Sequence, residues 1–315
     1  MSTIDFEKMR RQMMQERRAQ RDVAPVGSVV AAAPEAYLDE QHRLGPASRT
    51  GKLPVVHYIS DWLSRAEAEE LETSLPSQSD PAWSDLGQRR LLNCGGVPHP
   101  SGMIEEEMPA WFDPLQQKLT ETGAFPDGQP PNQALLNEYT STAESDGGGG
   151  IGGACAGSGG IAPHNDGPIF EARVAIVSLG TPAVLHFWPV PKNDAGVSVG
   201  SGWRAISGDV EPACSVLLQP RSLLVFSAEA YTHMLHGIRP ASTDVLGPTV
   251  CNLGMCHSPA GLAVGEVIER GRRLSLTVRR VVKVAKQLGA FLTTEDEAER
   301  LRRWHWWRGA ISEER

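Results

Sequence analysis

The sequence predicts a mainly β (α+β) protein, an antiparallel barrel or jelly roll with helices before and after the strands. Short apolar runs that are rich in β-branched residues recur through the middle of the chain. Clusters of Gly, Pro, Asn or Ser separate most of these runs, which is typical of antiparallel sheets. Helical patterns occur only outside this block. With 315 residues and 40% apolar composition, the chain can bury one large core.

The folded part of the chain is expected to begin at Leu53, where the apolar pattern tightens. The motif Ser64-Arg-Ala-Glu67 predicts a helix over 64–74, because in a capping box the serine and glutamate side chains satisfy backbone amides at the helix start. A second helix is expected at 106–122. The predicted strands are 55–59, 134–139, 173–179, 183–188, 215–218, 222–226 and 273–284.

Three segments depart from this pattern. Residues 1–52 are charged and Met-rich, then Ala/Pro/Gly-rich, and are predicted to be disordered or to form a partner-docking helix. The Gly-rich stretch 141–160 is predicted to be a flexible insertion, since it lacks the Gly-Lys-Ser/Thr ending of a phosphate-binding loop. Residues 286–315 predict a C-terminal amphipathic helix rich in Trp and Arg, which packs on a core or, as the less favoured alternative, stacks on bases.

Composition limits the partners and the compartment. The net charge of −8 argues against strong non-specific binding to nucleic acid through charge alone, although a local basic face is compatible with it. No apolar run is long enough to cross a membrane, and the first thirty residues lack a signal-peptide pattern. We therefore expect an intracellular protein of the nucleus and/or cytoplasm, with no membrane contact. The five cysteines lack zinc-knuckle spacing and are expected to be reduced.

A candidate metal site begins with His164-Asn-Asp166, a polar segment beside a predicted strand. Side chains two apart in an extended backbone lie on one face, so an imidazole and a carboxylate can reach the same ion. His236 is the expected third ligand. His233 is the alternative, and it ranks lower because it lacks a following Gly that allows close backbone approach. Two imidazoles and one carboxylate leave coordination positions open, which favours redox iron over a closed zinc site.

The strand Arg273-Leu-Ser-Leu-Thr-Val-Arg279 carries the second candidate site. Alternation places Arg273, Ser275, Thr277 and Arg279 on one face and apolar side chains on the other. Arginines that face a barrel interior are costly without an anionic partner, and a dicarboxylate would provide one. The alternative is that this face points outward from an edge strand.

A neighbouring strand offers the same pattern on a smaller scale. Leu135, Asn137 and Tyr139 share a face, so that an amide and a phenol follow one another at the spacing of inward residues. A solvated strand face is the alternative interpretation.

Taken in order, these motifs resemble the AlkB family of 2-oxoglutarate dioxygenases. The shared features are Asn-x-Tyr, His-x-Asp, a distal His and Arg-x-Ser-x-Thr-x-Arg. The resemblance covers residues 53–285. Further short motifs indicate one branch of the family. They are Asn93-x-Gly-Gly-x-Pro-His-Pro100, His164-x-Asp-Gly-Pro168, Ser178-Leu-Gly180, Pro220-Arg-Ser-Leu-Leu224 and Leu235-His-Gly-Ile238.

The resemblance implies a double-stranded β-helix with flanking helices and a core at 131–281. It implies Fe(II) held by His164, Asp166 and His236. It also implies 2-oxoglutarate contacts that put Arg273 at the distal carboxylate and Arg279 near the chelating end. The full set of implied cofactor contacts is Asn137, Tyr139, Arg273, Ser275, Thr277 and Arg279. Ser275 stands where many AlkB relatives have Asn, and the insertion 141–160 replaces a short turn.

The implied reaction converts 2-oxoglutarate and O2 to succinate and CO2 while an N-methyl group on a nucleobase is hydroxylated and leaves as formaldehyde. Such enzymes act on single strands or on a flipped base, because a base inside a duplex is out of reach. Two alternatives stay open. One is an oxygenase that hydroxylates a protein or small molecule, which suits the acidic net charge, and the other is a non-catalytic nucleic-acid-binding relative.

Overall fold

Strands dominate the computed structural model of this chain and form two main sheets. The structure describes residues 55–77, 82–86, 89–99, 102–126, 128–139, 159–191, 202, 206, 210–258, 261–285 and 298. Across these residues the mainly β class is confirmed. The three α-helices in this part of the chain are α1 (Arg65–Ser74), α2 (Phe112–Glu121) and α3 (Ala228–Thr232).

The strands follow one another closely along the chain. They are β1 (Val55–Ile59), β2 (Ser84–Asp85), β3 (Arg89–Cys94), β4 (Pro98–His99), β5 (Gly102–Ile104), β6 (Gln133–Tyr139), β7 (Ile161–His164), β8 (Arg173–Gly180), β9 (Ala183–Pro189), β10 (Cys214–Leu218), β11 (Leu223–Ser227), β12 (Met234–Ile238), β13 (Thr243–Val245), β14 (Val267–Glu269), β15 (Arg273–Arg279) and β16 (Val284–Ala285).

A large and a small sheet carry the architecture. The large sheet has the order β1-β11-β8-β15-β6-β3-β2 and the small sheet the order β10-β9-β12-β7. All their strand pairs are antiparallel. Strand β15 lies in the middle of the large sheet, between β8 and β6. The Arg/Ser/Thr strand is therefore not an edge strand.

The large sheet separates two apolar cores. On one face, Leu276 and Val278 of β15 belong to the cluster that includes Leu71 of α1 and Leu115 and Leu119 of α2. On the other face, side chains of β8 and β11 cluster with those of the small sheet. Full burial of each such aliphatic side chain contributes roughly 1.5–3 kcal/mol. Because side chains alternate along a strand, those of the central strands point in turn to the face covered by the helices and to the face turned to the small sheet.

Helix α1 matches its predicted range. Ser64 Oγ accepts a hydrogen bond from the Glu67 amide at 3.2 Å, and a Glu67 carboxylate oxygen accepts one from the Ser64 amide at 2.7 Å. The predicted capping box is therefore present.

Two boundaries were wrong. The helix expected at 106–122 begins only at Phe112, because Pro109 disfavours helical geometry in the residue before it. The strand expected at 273–284 ends at Arg279, where the chain turns and the Val281 amide donates to the side chain of Asn132 at 2.7 Å. Sequence alternation alone did not reveal these ends.

Three predictions lie outside the described residues. They are the extension 1–52, most of the insertion 141–160, and the C-terminal helix of 286–315, of which only residue 298 is described. Among the described helices, none has the length and apolar character that crossing a bilayer would need.

Candidate functional site

All nine predicted site residues line one cavity of about 380 Å³ between the two sheets. Its walls come from β3, β6, β8 and β15 of the large sheet and from β7, β9, β10 and β12 of the small sheet. The predicted residues among them are Asn137, Tyr139, His164, Asp166, His236, Arg273, Ser275, Thr277 and Arg279.

The three predicted metal ligands lie together where β7 of the small sheet ends. His164 ends β7 and is the direct cross-strand partner of His236 on β12, with ring centroids 4.3 Å apart. Asp166 follows in the loop after β7. One ligand atom from each of the three residues lies within 4.8 Å of the others. The antiparallel pairing of β7 and β12 therefore brings together residues that are far apart in sequence.

Local contacts fix the segment that carries His164 and Asp166. Nδ1 of His164 donates to the carbonyl oxygen of Ala162 at 2.7 Å, which leaves Nε2 with its lone pair in the neutral ring. Between the two ligands, Asn165 donates to the backbone oxygen of Met234 on β12 at 2.6 Å. The loop is therefore tied to the strand that carries His236.

Gly237 explains why His236, and not His233, joins the cluster. A Cβ on Gly237 would lie 2.8 Å from the backbone oxygen of Ile161, so only glycine lets β12 approach β7 this closely. His233 lies at the end of α3, where its ring contacts the hydroxyl of Thr232.

The charges of the cluster suit a divalent cation. The side chain of Asp166 is 3% exposed. Its Oδ1 accepts from Nη1 of Arg279 at 2.5 Å, whereas its Oδ2 has no hydrogen-bond partner among the described residues and lies 3.5 Å from Nε2 of His236. A buried carboxylate oxygen without a donor is costly unless a cation completes it.

The pKa values of the cluster agree with that role. Burial lowers the pKa of His164, and burial together with the nearby His164 lowers the pKa of His236 to about 3. Burial by itself would raise the pKa of Asp166, but Arg279 outweighs it through its positive charge and its hydrogen bond and lowers that pKa. Two neutral imidazoles and an ionised carboxylate are the protonation states that bind a metal.

Arg273 marks the other polar end of the cavity. It is 3% exposed, and its Nη2 donates to Ser178 Oγ at 2.9 Å and to Ser275 Oγ at 3.3 Å. Its Nε and Nη1 have no hydrogen-bond partner within the described part of the chain. Its guanidinium carbon lies 5.6 Å from the centroid of the Tyr139 ring. A buried guanidinium whose Nε and Nη1 both lack an acceptor suits an anionic ligand such as a carboxylate.

Arg279, at the other end of the same strand face, is already paired within the protein. Besides Asp166, its Nε donates to Gln133 Oε1 at 3.0 Å, and its guanidinium lies 4.3 Å from the centroid of the Phe170 ring. The hydrogen bond to Asp166 places the Arg279 guanidinium beside the predicted metal site.

The remaining predicted residues lie between these ends. In the strand register Asn137 lies opposite Ser275 and Tyr139 opposite Arg273. Asn137 Oδ1 accepts from Nη1 of Arg89 at 3.2 Å. The alternative of an outward or solvated face is wrong, because β6 and β15 are interior strands and these side chains line the cavity.

Sequence reasoning missed three polar residues here. Gln133 shares the alternating face of Asn137 and could have been found by extending that pattern toward the start of β6. Ser178 comes to Arg273 only through the register of β8 against β15, and Arg89 comes to Asn137 through the pairing of β3 with β6. Neither register is encoded in a local pattern.

Arg272, the residue directly before β15, is paired within the protein. Arg272 donates to Oε1 of the fully buried Glu138 at 2.7 Å and also contacts Glu72 at 3.2 Å. Arg90 binds the second carboxylate oxygen of Glu138. These cations neutralise a buried carboxylate on the helix side of the large sheet.

Comparison with known proteins identifies the family. The model described as the 2OG-Fe(II) oxygenase superfamily matches residues 92–279. The chain belongs to this superfamily. A curated relative from Danio rerio, "Probable RNA/DNA demethylase ALKBH6", is 34% identical over 234 residues, which cover 74% of this chain and 88% of the relative. The resemblance to AlkB, and to the branch of homologue six that the short motifs indicated, is confirmed.

Two solved structures are also similar. That of OsALKBH1 has a TM-score of 0.40 and 14% identity, and covers 73% of this chain and 98% of that chain. A 2OG-Fe(II) family oxidoreductase from Burkholderia pseudomallei has a TM-score of 0.40 and 10% identity, with 74% and 87% covered.

As a member of the 2OG-Fe(II) oxygenase superfamily, the chain is a dioxygenase that uses Fe(II) and 2-oxoglutarate. When bound, the metal and this cofactor supply the oxidation by O2. His164, Asp166 and His236 form the candidate metal site. The protein contributes a cavity whose two polar ends are already positioned for a cation and an anion.

Proposed function

We propose that this 2OG-Fe(II) oxygenase removes alkyl groups oxidatively from nucleobases in single-stranded DNA or RNA. The observation that carries the proposal is the 34% identity to a probable RNA/DNA demethylase, which extends over 74% of this chain and 88% of the relative. The cavity's volume of about 380 Å³ falls within the usual range for small-molecule sites of about 300–1,000 Å³. It suits one base beside the cofactor, so the base must be unpaired or flipped.

Within this proposal His164, Asp166 and His236 bind Fe(II), and Arg273 binds the distal carboxylate of 2-oxoglutarate. The two free nitrogens of Arg273 support this role. Ser275 and Tyr139 hold the arginine in place through a hydrogen bond and a ring contact. Asn137 and Thr277 lie on the wall between Arg273 and the metal ligands and contact the cofactor there. Each charge-assisted hydrogen bond contributes roughly 1.5–3 kcal/mol.

Arg279 acts at the chelating end of the cofactor through its hold on Asp166. Its guanidinium neutralises the carboxylate when no metal is bound and orients it when one is. O2 enters as the co-substrate.

The finer architecture belongs to the same proposal. We infer that the two facing antiparallel sheets form a double-stranded β-helix, with α1 and α2 as its N-terminal flanking helices. The oxygenase domain is then 53–285, with a core at 131–281, and residues 286–315 follow it in the chain. The shared cavity and the apolar core between the sheets support this arrangement.

The test is turnover on a defined substrate. Protein with Fe(II), 2-oxoglutarate and O2 is incubated with a single-stranded oligonucleotide that carries N-methylated bases, and formaldehyde and succinate are measured. We expect equal amounts of the two products, and neither from the Asp166→Ala variant. Succinate without formaldehyde across DNA and RNA oligonucleotides would indicate a protein or small-molecule substrate. Absence of both would indicate a non-catalytic relative.

A further inference from the structure

A chain of hydrogen bonds runs from the metal ligand Asp166 to a turn after β3. Asp166 Oδ1 accepts from Arg279, and Arg279 Nε donates to Gln133 Oε1 at 3.0 Å. The amide nitrogen of Gln133 donates to Asn93 Oδ1 at 2.8 Å. Asn93 Nδ2 donates to the backbone oxygen of Gly96 at 2.6 Å. Every link is shorter than about 3.2 Å, the usual upper limit for such bonds.

The middle of this chain is buried. Gln133 is 1% exposed and Arg279 is 6% exposed. Both ends of the Gln133 amide are used, the oxygen by Arg279 and the nitrogen by Asn93. If the Gln133 amide rotated by half a turn, its NH2 donor would face the N–H donor of Arg279. Its oxygen would then face the oxygen of Asn93. The orientation of each side chain therefore depends on the next.

The turn at the far end is itself closely packed. Gly95 and Gly96 have φ angles of +88° and +118°, which side-chain-bearing residues rarely adopt. A Cβ on Gly95 would lie 2.2 Å from the backbone oxygen of Asn132, and one on Gly96 would lie 2.2 Å from that of Ile104. Asn132 is the residue directly before Gln133. The turn thus contacts the start of β6 through both backbone packing and the Asn93 side chain.

We propose that Asn93 and Gln133 are positioning residues that couple the Gly95–Gly96 turn to the metal ligand Asp166. Neither touches the candidate metal. Gln133 holds Arg279 in the direction in which it can bind Asp166, and Asn93 holds Gln133 against the turn. A substrate that displaces the turn then changes the orientation of Asp166, and a metal on Asp166 stiffens the turn. Binding free energies couple reciprocally, so both directions follow from one link. The inference rests on the proposed metal site and not on the nucleic-acid substrate.

The experiment uses Mn(II), which binds without turnover, and the full chain. Mn(II) affinity is measured by calorimetry, and hydrogen exchange is followed for peptides that contain Gly95 and Gly96 with and without Mn(II). In the wild type we expect Mn(II) to slow exchange at the turn. Gln133→Leu should weaken Mn(II) binding several-fold, less than the roughly 10- to 100-fold that loss of a direct partner of a ligand costs, and abolish the effect on exchange. Asn93→Ala should keep near wild-type affinity and lose the effect on exchange.

Gln116→Leu is the matched control. Gln116 also donates a partly buried hydrogen bond, to the backbone oxygen of Pro131 at 2.7 Å, but it does not belong to the series of hydrogen bonds that starts at Asp166. It should retain both wild-type affinity and the response of the turn. The Co(II) absorption spectrum gives a second readout, which should change in Gln133→Leu and not in Gln116→Leu.

An unchanged response of the turn to Mn(II) in Gln133→Leu would overturn the coupling. Equal loss of that response in Gln133→Leu and in the control Gln116→Leu would overturn it as well. Failure of the wild type to bind Mn(II) would instead overturn the metal assignment, and the inference with it. Loss of demethylation with normal Mn(II) results would affect only the proposed substrate.

Discussion

Two buried arginines three residues apart have opposite surroundings. Arg270, 9% exposed, binds both carboxylate oxygens of Asp244 and also donates to backbone oxygens. Among the described residues, Arg273, 3% exposed, donates side-chain hydrogen bonds only to the hydroxyls of Ser178 and Ser275, and two of its nitrogens have no partner. The first ion pair is complete without a ligand. The second site is incomplete.

This difference distinguishes an arginine that stabilises the fold from one that is available to a ligand. Burial of a charge is costly, and a protein that pairs Arg270 fully has no structural reason to leave Arg273 half-paired three residues later. At the metal end of the cavity the unpaired group is an acceptor instead, since Asp166 Oδ2 has no donor among the described residues. One end of the cavity therefore suits an anion and the other a cation, as a chelating 2-oxo dicarboxylate and Fe(II) require.

The largest effect is expected at the metal end. Asp166→Ala should lower 2-oxoglutarate-dependent succinate production by more than about 100-fold, since even outer-shell partners cost 10- to 100-fold. His164→Ala and His236→Ala should do the same. Far-UV circular dichroism should stay unchanged, because the backbone hydrogen bonds that pair β7 with β12 do not depend on the ligand side chains. His233→Ala is the control and should be mild, and the reverse result for His233 and His236 would show that the third ligand was chosen wrongly.

The next effect is on stability, at the completed ion pair. Arg270→Ala should lower the free energy of unfolding by about 3–5 kcal/mol, because it leaves the Asp244 carboxylate buried with a single backbone donor, the amide of Val184. Urea denaturation measures this change. A loss below 1 kcal/mol would remove the contrast between the two arginines.

At the incomplete site the effect should be on binding. Arg273→Ala should raise the dissociation constant of 2-oxoglutarate by roughly 10- to 150-fold, which corresponds to about 1.5–3 kcal/mol. Calorimetric titration into anaerobic, Mn(II)-loaded protein measures it. Stability should fall less than in Arg270→Ala, since no buried counter-charge is left behind.

Two further variants sharpen this test. Arg273→Lys should restore binding only in part, because an ammonium cannot form two parallel hydrogen bonds to a carboxylate. Arg280→Ala is the control, since Arg280 donates to the backbone oxygen of Pro130 and lies outside the cavity lining. Equal loss of affinity in Arg273→Ala and Arg280→Ala would contradict the cofactor site.

The smallest effect belongs to an ion pair at the surface. Hydrogen bonds from Lys118 and from the Ser64 amide lower the pKa of Glu67 from 4.5 to about 2. A lowered pKa contributes stability that is present above pH 4.5 and is lost as the pH falls toward 2. Because Glu67 is partly exposed, Glu67→Gln should cost less than about 1 kcal/mol at pH 7. The difference from wild type should shrink in melting curves recorded near pH 3, and a constant difference would contradict the assignment.

The sequence by itself determined the local features of this protein. Period-two alternation placed Arg273, Ser275, Thr277 and Arg279 on one face, and the structure turns that face to the cavity. The capping box at Ser64 and the close spacing of His164 and Asp166 are also local, since each involves residues within three positions of one another. Such patterns depend only on backbone geometry, which the sequence specifies directly.

The tertiary structure decided what these faces meet. The pairing of β7 with β12 brings His236 to His164, and the register of β8 against β15 brings Ser178 to Arg273. The partner of Arg279, the carboxylate of Asp166, comes from the loop that follows β7 of the opposite sheet. These contacts join residues 72, 95 and 113 positions apart, and they depend on which strands pair and in which register. Register is set by the burial of whole faces, so no short motif contains it.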